Sequence, residues 1–184
     1  MGMQYRLKKT IALIGMMGAG KTAVGKVLAS NLAVKFVDSD AEIEAASNMA
    51  IPEIFQRDGE AFFRGKESQV LKRLLAAEPF VLSTGGGTFL QLQNRRVLAK
   101  KAISIFLQVD LDLLWSRVRK NTGRPLLKTA DPYATLRELQ RQRDSTYQLA
   151  DVTISAEASL SIEQMATRVL ASLIEQTNIV KEIK

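Results

Sequence analysis

The 184-residue sequence contains no cysteine and no histidine. Without cysteine the chain can form no disulfide bonds and perform no thiolate chemistry. Without histidine it lacks the commonest metal ligand and the commonest general base in proteins. Any acid–base chemistry must therefore use carboxylates, lysines or tyrosines.

Long apolar runs and dense basic runs are also missing. No segment has the roughly 20 apolar residues that cross a membrane, and residues 10–20 are too short and glycine-rich for a secretion signal. We therefore expect a cytoplasmic protein with no membrane partner. The formal net charge is +7, and one interpretation of this excess is that the protein binds nucleic acid. Because the basic pairs are scattered, we favour a soluble enzyme that handles anionic ligands and binds no nucleic acid.

Strand-like apolar runs alternate with amphipathic helical patterns along the chain. Repeated β-then-α units predict the α/β class, with three α/β/α layers built on a parallel sheet. Ligands of such sheets bind at the carboxyl ends of the strands. The length and the absence of a low-complexity linker predict a single domain over residues 1–184. Five strands are predicted, at residues 9–15, 35–40, 80–84, 103–110 and 151–155.

The segment GMMGAGKT, residues 15–22, matches the phosphate-loop pattern G-x-x-x-x-G-K-[ST] between a predicted strand and a predicted helix. Glycines let backbone N–H groups point at phosphate oxygens, and the helix N-terminus adds partial positive charge. Lys21 is predicted to reach the β- and γ-phosphates, and the Thr22 hydroxyl to bind Mg²⁺. A chance glycine-rich turn is the alternative, and the correct flanking elements disfavour it. The pattern therefore predicts a nucleoside triphosphate site.

The rest of the sequence narrows the class of P-loop protein. GTPases usually carry an N-K-x-D segment, which KNTGRP at residues 120–125 does not match. Many P-loop ATPases end a neighbouring strand with a metal-binding aspartate, where this chain has Ser83 and Thr84. These hydroxyls would contact the metal only through water. The chain is also short for a motor ATPase, so a small-molecule kinase is favoured.

Two aspartates, Asp38 and Asp40, close the second predicted strand. One interpretation is that one of them only caps the following helix. The functional interpretation is that Asp38 faces the metal through water and Asp40 faces the phosphoryl acceptor. In a chain without histidine, a carboxylate is the natural group to take the proton of an attacking hydroxyl. Because the transition state of phosphoryl transfer is loose, catalysis depends more on positioning the reacting groups than on a strong base.

Arginines and glycines complete the candidate site. Arg64 and Arg143 lie on predicted helices and are either surface residues or, if they converge, a bidentate clamp for a carboxylate. Arg124 lies in an irregular segment that is either a surface loop or a lid that brings an arginine to the γ-phosphate. The glycines at residues 85–87 follow a strand and lack the lysine of a phosphate loop. They predict a floor on which a small acid meets backbone N–H groups.

Taken together, these segments resemble the shikimate kinase family over nearly the whole chain. The P-loop alone is shared by many families, whereas the combination of motifs is specific. The matching segments are GMMGAGKT at 15–22, DSD at 38–40, GEAFFR at 59–64, STGGGT at 83–88, GRPLL at 123–127 and RQRDSTYQLADVTI at 141–154.

The resemblance implies an adenylate-kinase-like P-loop kinase fold with sheet order 2-3-1-4-5. It also implies an ATP:shikimate 3-phosphotransferase, which uses Mg²⁺-bound ATP on the route to chorismate and the aromatic amino acids. The acceptor-binding segment would be about residues 39–67 and the lid about residues 118–131. A monomer is expected, because the sequence shows no unexplained apolar surface.

The matching motifs also imply site residues. Asp40 would be the base, Lys21 and Arg124 would be the other catalytic groups, and Thr22 and Asp38 would hold Mg²⁺. Glu60 or Glu67 would brace Arg64, and Arg117 would lie beside adenine. The residues implied for ATP are Gly15, Met17, Gly18, Ala19, Gly20, Lys21, Thr22, Ala23, Arg117 and Arg124. Those implied for shikimate are Asp40, Phe55, Phe63, Arg64, Gly85, Gly86, Gly87 and Arg143.

The chain departs from the family pattern at one position, and two other functions compete with the main interpretation. The family often has proline where this chain has Ser145, two residues from Arg143, and we expect little effect on the assignment. Another small-molecule kinase, acting on gluconate or a nucleotide, is the first alternative. A non-catalytic module on a kinase-like fold is the second, and it should have lost Lys21, Asp40 or Arg124, all of which are present.

Overall fold

The computed structural model describes residues 4–120 and 125–183, and within them five parallel strands form the central sheet. Numbered by themselves in chain order, these five strands lie side by side in the order 2-3-1-4-5. Helices flank the sheet, so the predicted α/β class, parallel sheet and strand order are confirmed. The five strands are β2 Thr10–Ile14, β3 Phe36–Asp38, β4 Val81–Ser83, β5 Ala102–Val109 and β6 Val152–Ala156.

The middle strand, β2, explains why the sequence folds this way. All five of its residues are buried, as expected for a strand covered on both faces. It pairs in parallel with β4 on one side and β5 on the other, with Ile11 opposite both Val81 and Ile103. The apolar run that signals this strand in the sequence therefore also builds the core.

Eight helices lie within the described residues. The last begins with a capping box, in which Ser161 Oγ accepts from the Gln164 N–H and the Gln164 side chain accepts from the Ser161 N–H. No helix of the described part of the chain is long and apolar enough to span a membrane. The helices are α1 Lys21–Asn31, α2 Ser39–Ser47, α3 Ile51–Arg57, α4 Gly59–Leu74, α5 Leu92–Lys101, α6 Leu111–Val118, α7 Pro132–Tyr147 and α8 Ile162–Gln176.

A second sheet was missed in the sequence. Strands β1, Gln4–Leu7, and β7, Val180–Ile183, pair antiparallel with each other. The Lys8 N–H extends this pairing with a 2.8 Å hydrogen bond to the Ile179 carbonyl. Each strand is four residues long, and their partnership joins the two ends of the described chain, so no local pattern indicates it.

Several element boundaries also differ from the prediction. The second strand of the central sheet ends at Asp38 rather than at residue 40, because Asp38 caps helix α2 and its Oδ1 accepts from the Asp40 N–H at 3.0 Å. The amphipathic pattern of residues 60–78 predicts one helix, whereas α4 ends at Leu74. The helical pattern of residues 89–102 also predicts one helix, whereas a 3-10 turn, Thr88–Leu90, occupies its start.

Candidate active site

The candidate site lies at the carboxyl ends of β2, β3 and β4, where ligands of parallel sheets bind. Gly15 follows β2, Asp38 ends β3 and Ser83 ends β4. A cavity of about 420 Å³, which we call the central cavity, opens at this edge. Its lining is Met17, Gly18, Gly20, Lys21, Thr22, Ala23, Asp38, Asp40, Ser83, Thr84, Gly85 and Gly86.

The phosphate loop between β2 and α1 has the tight backbone that its glycines predict. Gly15, Gly18 and Gly20 all have positive φ angles, of 135°, 82° and 93°. A Cβ added at Gly18 would lie 2.6 Å from Cγ1 of Val118, so a side chain is excluded there by close approach as well. The Lys21 side chain is 9% exposed, and its Nζ donates to the carbonyls of Gly15 at 2.9 Å and Met16 at 3.0 Å. The loop thus wraps around a buried ammonium group.

Three side-chain oxygens meet beside the phosphate loop. The Thr22 hydroxyl donates to Asp38 Oδ2 at 3.0 Å and lies 3.3 Å from Ser83 Oγ. Thr84, which we expected to act alongside Ser83, donates its hydroxyl proton to the Leu13 carbonyl at 2.9 Å instead. Oxygen atoms are the ligands that Mg²⁺ prefers, and Mg²⁺ commonly keeps several waters. Thr22, Asp38 and Ser83 therefore fit a metal ion carried by a nucleotide.

Asp40 lies in the first turn of α2 and faces the central cavity. Its Oδ1 is buried and has no hydrogen-bond partner within the described residues. Burial, helped by the charges of Asp38 and Glu67, raises the pKa of Asp40 from 3.8 to about 6. A carboxyl with this pKa is ionised at neutral pH and yet holds a proton more readily than an exposed aspartate. This is the property expected of a general base.

The three glycines after β4 each abut a different polar side chain. A Cβ added at Gly85 would lie 2.6 Å from Asp40 Oδ1, and one at Gly86 would lie 3.5 Å from Arg143 Nη1. A Cβ at Gly87 would collide with the guanidinium group of Arg64, 2.6 Å from Nη2. This run therefore brings together groups from α2, α4 and α7 that are far apart in the sequence.

Arg64 is held between two carboxylates of its own helix. Its Nη2 lies 3.1 Å from Glu60 Oε1 on the exposed side, and its Nη1 lies 3.2 Å from Glu67 Oε2 on the buried side. Glu67 is 1% exposed and also accepts a 2.7 Å hydrogen bond from the Thr88 hydroxyl. Burial raises the pKa of Glu67, opposed by its bonds to Thr88 and Arg64. Both glutamates that the sequence offers as braces contact the arginine.

A second cavity, of about 300 Å³, adjoins the glycine run on the side of α3 and α4, and we call it the aromatic cavity. The rings of Phe55 and Phe63 pack there with centroids 4.7 Å apart, and Arg64 Cζ lies 5.1 Å from the Phe63 ring centre. Its lining is Asp40, Ile51, Pro52, Phe55, Phe63, Arg64, Glu67, Gly85, Gly86, Leu126 and Lys128. Four of these residues, Ile51, Pro52, Leu126 and Lys128, fall within the predicted acceptor-binding segment and lid but were not named as site residues from the sequence. Ile51 precedes Phe55 by one helical turn.

A third cavity, of about 240 Å³, lies on the other side of the phosphate loop, and we call it the outer cavity. Arg117 lines it and donates from Nη1 to the Gly18 carbonyl at 3.2 Å. The far wall is formed by residues between Ala156 and Met165, which were not predicted as site residues. Their position after the last strand of the sheet could have indicated a ligand site, because ligands bind at the carboxyl ends of parallel strands. The lining is Ala19, Gly20, Ala23, Val24, Arg117, Ala156, Glu157, Leu160, Ser161, Ile162 and Met165.

Comparison with known proteins decides the family. The family model for shikimate kinase matches residues 17–174 of the chain. The chain belongs to the shikimate kinase family. The shikimate kinase of Ruegeria pomeroyi is 55% identical over 175 residues, which cover 95% of this chain and 90% of the relative.

Similarity to solved structures also supports membership of the shikimate kinase family. A shikimate kinase from Acinetobacter baumannii in complex with shikimate has a TM-score of 0.86 and 38% identity, covering 91% of this chain and 93% of that one. A gluconokinase from Sinorhizobium meliloti 1021 has a TM-score of 0.58 and 17% identity, covering 92% and 94%. At that identity the gluconokinase shares the fold alone. The predicted family is confirmed.

The departure from the usual shikimate kinase pattern does not interrupt the helix. Ser145 lies within α7, which continues to Tyr147. The Tyr147 side chain is buried, and its hydroxyl donates to the Gly86 carbonyl at 2.5 Å. Burial raises the pKa of Tyr147, which keeps this donor protonated. The end of α7, which carries Arg143, is thereby tied to the glycine run.

One predicted site residue, Arg124, lies outside the described residues. Its role as the lid arginine stays a prediction from the sequence. The chain resumes after it with the 3-10 turn Pro125–Leu127, and Leu126 and Lys128 line the aromatic cavity.

Proposed function

We propose that this chain transfers the γ-phosphoryl group of ATP to the 3-hydroxyl of shikimate, giving ADP and shikimate 3-phosphate. The observation that carries the proposal is the meeting of Asp40, Arg64 and Arg143 on three consecutive glycines, next to a phosphate loop. Such a site suits an acceptor that is both hydroxylated and anionic. Membership of the shikimate kinase family supports the same reaction.

ATP would bind along the phosphate loop. Backbone N–H groups at the N-terminus of α1 and the Lys21 ammonium would contact the phosphates. Adenine would enter the outer cavity beside Arg117. Thr22 would bind Mg²⁺ directly, whereas Asp38 and Ser83 would bind it through water. The metal, when bound, neutralises charge on the β- and γ-phosphates.

Shikimate would bind in the aromatic cavity, with its ring against Phe55 and Phe63. Arg64 and Arg143 would bind the carboxylate with charge-assisted hydrogen bonds, and the N–H groups of Gly86 and Gly87 would contact the ligand directly. The Gly85 N–H already donates to the Ser39 hydroxyl at 3.0 Å. This arrangement leaves the Asp40 carboxylate for the hydroxyl that reacts. The acceptor-binding segment would then be about residues 39–67, within one domain that spans residues 1–184.

The chemical step follows from this arrangement. The 3-hydroxyl oxygen bonds to the γ-phosphorus, and the bond from that phosphorus to the β,γ-bridging oxygen breaks. ADP leaves with the electron pair, and the hydroxyl proton passes to Asp40. Lys21 stabilises the charge that develops on the phosphoryl oxygens. Arg124 would join it from a lid over about residues 118–131, of which Leu126 and Lys128 line the aromatic cavity.

We further propose that the enzyme works as a cytoplasmic monomer that binds no nucleic acid. Several surface arginines are paired with nearby carboxylates, as in Arg73–Glu42 at 2.7 Å and Arg168–Glu157 at 2.8 Å. These pairs support the interpretation of the basic residues as a solvated surface.

The test of the reaction is a coupled assay for ADP release with ATP, Mg²⁺ and shikimate. We expect turnover with shikimate and none above background with gluconate. Folded protein, checked by circular dichroism, that shows no shikimate-dependent ADP release would refute the proposal. Turnover with gluconate alone would support the alternative kinase.

Replacing Arg143 by alanine tests the carboxylate clamp. We expect the KM for shikimate to rise by on the order of 10²-fold, because a charge-assisted hydrogen bond to the carboxylate is lost. The KM for ATP should change by less than about threefold, since Arg143 faces Gly86 rather than the nucleotide. Steady-state kinetics with each substrate varied in turn give both values.

The matched control is Arg141→Ala. Arg141 lies on the same helix, is 73% exposed and pairs with Glu138 at 2.8 Å. It should leave both KM values within about twofold of wild type, because exposed ion pairs contribute little. An equal rise of the two KM values in Arg143→Ala would argue against the clamp.

Replacing Gly86 by alanine tests the glycine floor. The structure has room for the added Cβ, whose nearest protein atom would be Arg143 Nη1 at 3.5 Å. We therefore expect the fold and ATP binding to be kept. The KM for shikimate should rise by about tenfold or more, because the methyl group projects where the acceptor would lie.

Gly65→Ala is the control for this variant, because a Cβ there would meet nothing within 4 Å. It should keep wild-type kinetics and be neutral or slightly stabilising, as an exposed helical glycine replaced by alanine usually is. Wild-type shikimate affinity in Gly86→Ala would show that the acceptor does not touch this residue.

A further inference from the structure

The 3-10 turn Thr88–Leu90 follows the glycine run directly, and side chains from the first half of α5 bind its carbonyls. Asn94 Nδ2 donates to the Thr88 carbonyl at 3.1 Å. Arg95 Nη1 donates to the carbonyls of Phe89 at 2.9 Å and Leu90 at 2.8 Å. The position of this turn, and of the glycine run before it, is therefore set by α5.

Asn94 also connects α5 to α4. Its side chain is fully buried, and its Oδ1 accepts from the Ser68 hydroxyl at 2.8 Å. Ser68 in turn accepts from Gln93 Nε2 at 3.0 Å. A buried amide is costly unless it is hydrogen-bonded, and here its nitrogen and its oxygen each have a partner. Asn94 thus links the turn to the helix that carries Arg64.

The same turn holds the carboxylate that braces Arg64. Thr88 is fully buried, and its hydroxyl donates to Glu67 Oε1. Glu67 binds Arg64 Nη1 through both of its oxygens, at 3.3 and 3.2 Å. Hydrogen bonds therefore run from Asn94 through Thr88 and Glu67 to the guanidinium group that faces the aromatic cavity. Glu60 competes for that guanidinium from the exposed side of α4.

We propose that Asn94 is a positioning residue for acceptor binding. By fixing Thr88 it keeps Glu67, and through Glu67 the Arg64 guanidinium, in the orientation that binds the carboxylate of the acceptor. Without it the Thr88 carbonyl loses its buried donor, the turn shifts, and Arg64 turns toward Glu60. This inference rests on the proposed role of Arg64. It predicts an effect on the acceptor and not on the nucleotide.

Asn94→Leu tests the inference, because leucine has the same number and branching of side-chain heavy atoms and makes no hydrogen bonds. We expect the KM for shikimate to rise by about tenfold and the KM for ATP to stay within about twofold. Ser68→Ala removes one bond to Asn94 and should give a smaller rise of the same sign, which keeps the test available if Asn94→Leu does not fold. Ser104→Ala is the matched control: Ser104, on β5, is 5% exposed, and its hydroxyl bonds at 2.6 Å to Asp151, the residue before β6. It should lose stability and keep both KM values.

A double-mutant cycle with Arg64→Ala identifies the route of the effect. If Asn94 acts through Arg64, Asn94→Leu adds nothing to the KM for shikimate once Arg64 is alanine. Additive effects, or equal rises in the two KM values, would mean a general structural role and overturn the inference. If Arg64→Ala raises that KM and neither Asn94→Leu nor Ser68→Ala does, the inference alone fails. If Arg64→Ala itself leaves the KM for shikimate unchanged, the proposed role of Arg64 fails and the inference fails with it.

Discussion

Replacement of Asp40 by asparagine is expected to lower kcat by on the order of 10²-fold or more while ATP still binds. Asparagine has the shape of aspartate and cannot accept the proton of the attacking hydroxyl. Asp40 lies outside the phosphate loop, against Gly85 at the edge of the central cavity, so we expect the loop to keep its conformation. Single-turnover kinetics and calorimetric titration with ATP measure the two quantities separately.

The raised pKa of Asp40 gives this prediction a pH dependence. Burial, with help from the charge of Asp38, places the pKa at about 6, and the base acts only when ionised. The kcat/KM for shikimate at saturating Mg²⁺-ATP should therefore fall as the pH drops through about 6. Wild-type turnover in Asp40→Asn, or a rate that is flat between pH 5 and 8 in the wild type, would refute the role.

The same pKa predicts that Asp40→Asn is more stable than wild type. A carboxyl whose pKa is raised by folding stabilises the folded state below pH 3.8, and this contribution is lost as the pH rises through about 6. Asparagine does not ionise. The Tm of Asp40→Asn should therefore exceed that of the wild type at pH 8 and equal it near pH 3.8. Glu42→Gln, on the exposed side of the same helix and paired with Arg73, should change neither kcat nor this pH dependence.

Replacement of Lys21 by methionine is expected to lower kcat/KM by on the order of 10³-fold. The buried ammonium lies inside the phosphate loop, where charge develops on the transferred group, and methionine keeps only the apolar part of the side chain. Removing the charge should lower the turnover rate more than the stability, because an uncharged side chain is buried at little cost. Steady-state rates and the Tm of the variant test both parts.

Lys26→Met serves as the control for Lys21→Met. Lys26 is an exposed lysine on the same helix, with its Nζ 5.9 Å from the Phe36 ring centre. Lys26→Met should keep kcat/KM within about twofold of wild type, because a solvated charge on the protein surface contributes little. A similar loss of activity in both variants would mean that net charge, rather than the position of Lys21, governs turnover.

Local signals in the sequence were sufficient for the sheet and the phosphate loop. The apolar run of β2, followed by three glycines with positive φ angles, specifies both the central strand and the turn after it. The sequence also offered two interpretations of the DSD segment, and the structure combines them. Asp38 caps α2 with one oxygen and binds the Thr22 hydroxyl with the other, which places Asp40 on the helix rather than on the strand.

Features that depend on pairing between distant segments could not be predicted from local patterns. The antiparallel pair β1 and β7 joins segments about as far apart as the described chain allows. Nothing in the neighbourhood of Arg64 or Arg143 reveals that both guanidinium groups lie against the glycine run. Burial of Asn94 is equally hidden, since a polar residue among charged ones on α5 looks like a surface residue. Its partners become visible only when α4 and α5 are packed together.

The two bonds of Asp38 have a consequence for how the substrates influence each other. One oxygen serves Thr22, in the loop proposed for the nucleotide, and the other holds the first turn of the helix that carries Asp40. We expect a movement of this carboxylate on nucleotide binding to shift the first turn of α2, and with it Asp40. Thermodynamic linkage then requires reciprocity: the factor by which nucleotide changes acceptor affinity is also the factor by which acceptor changes nucleotide affinity.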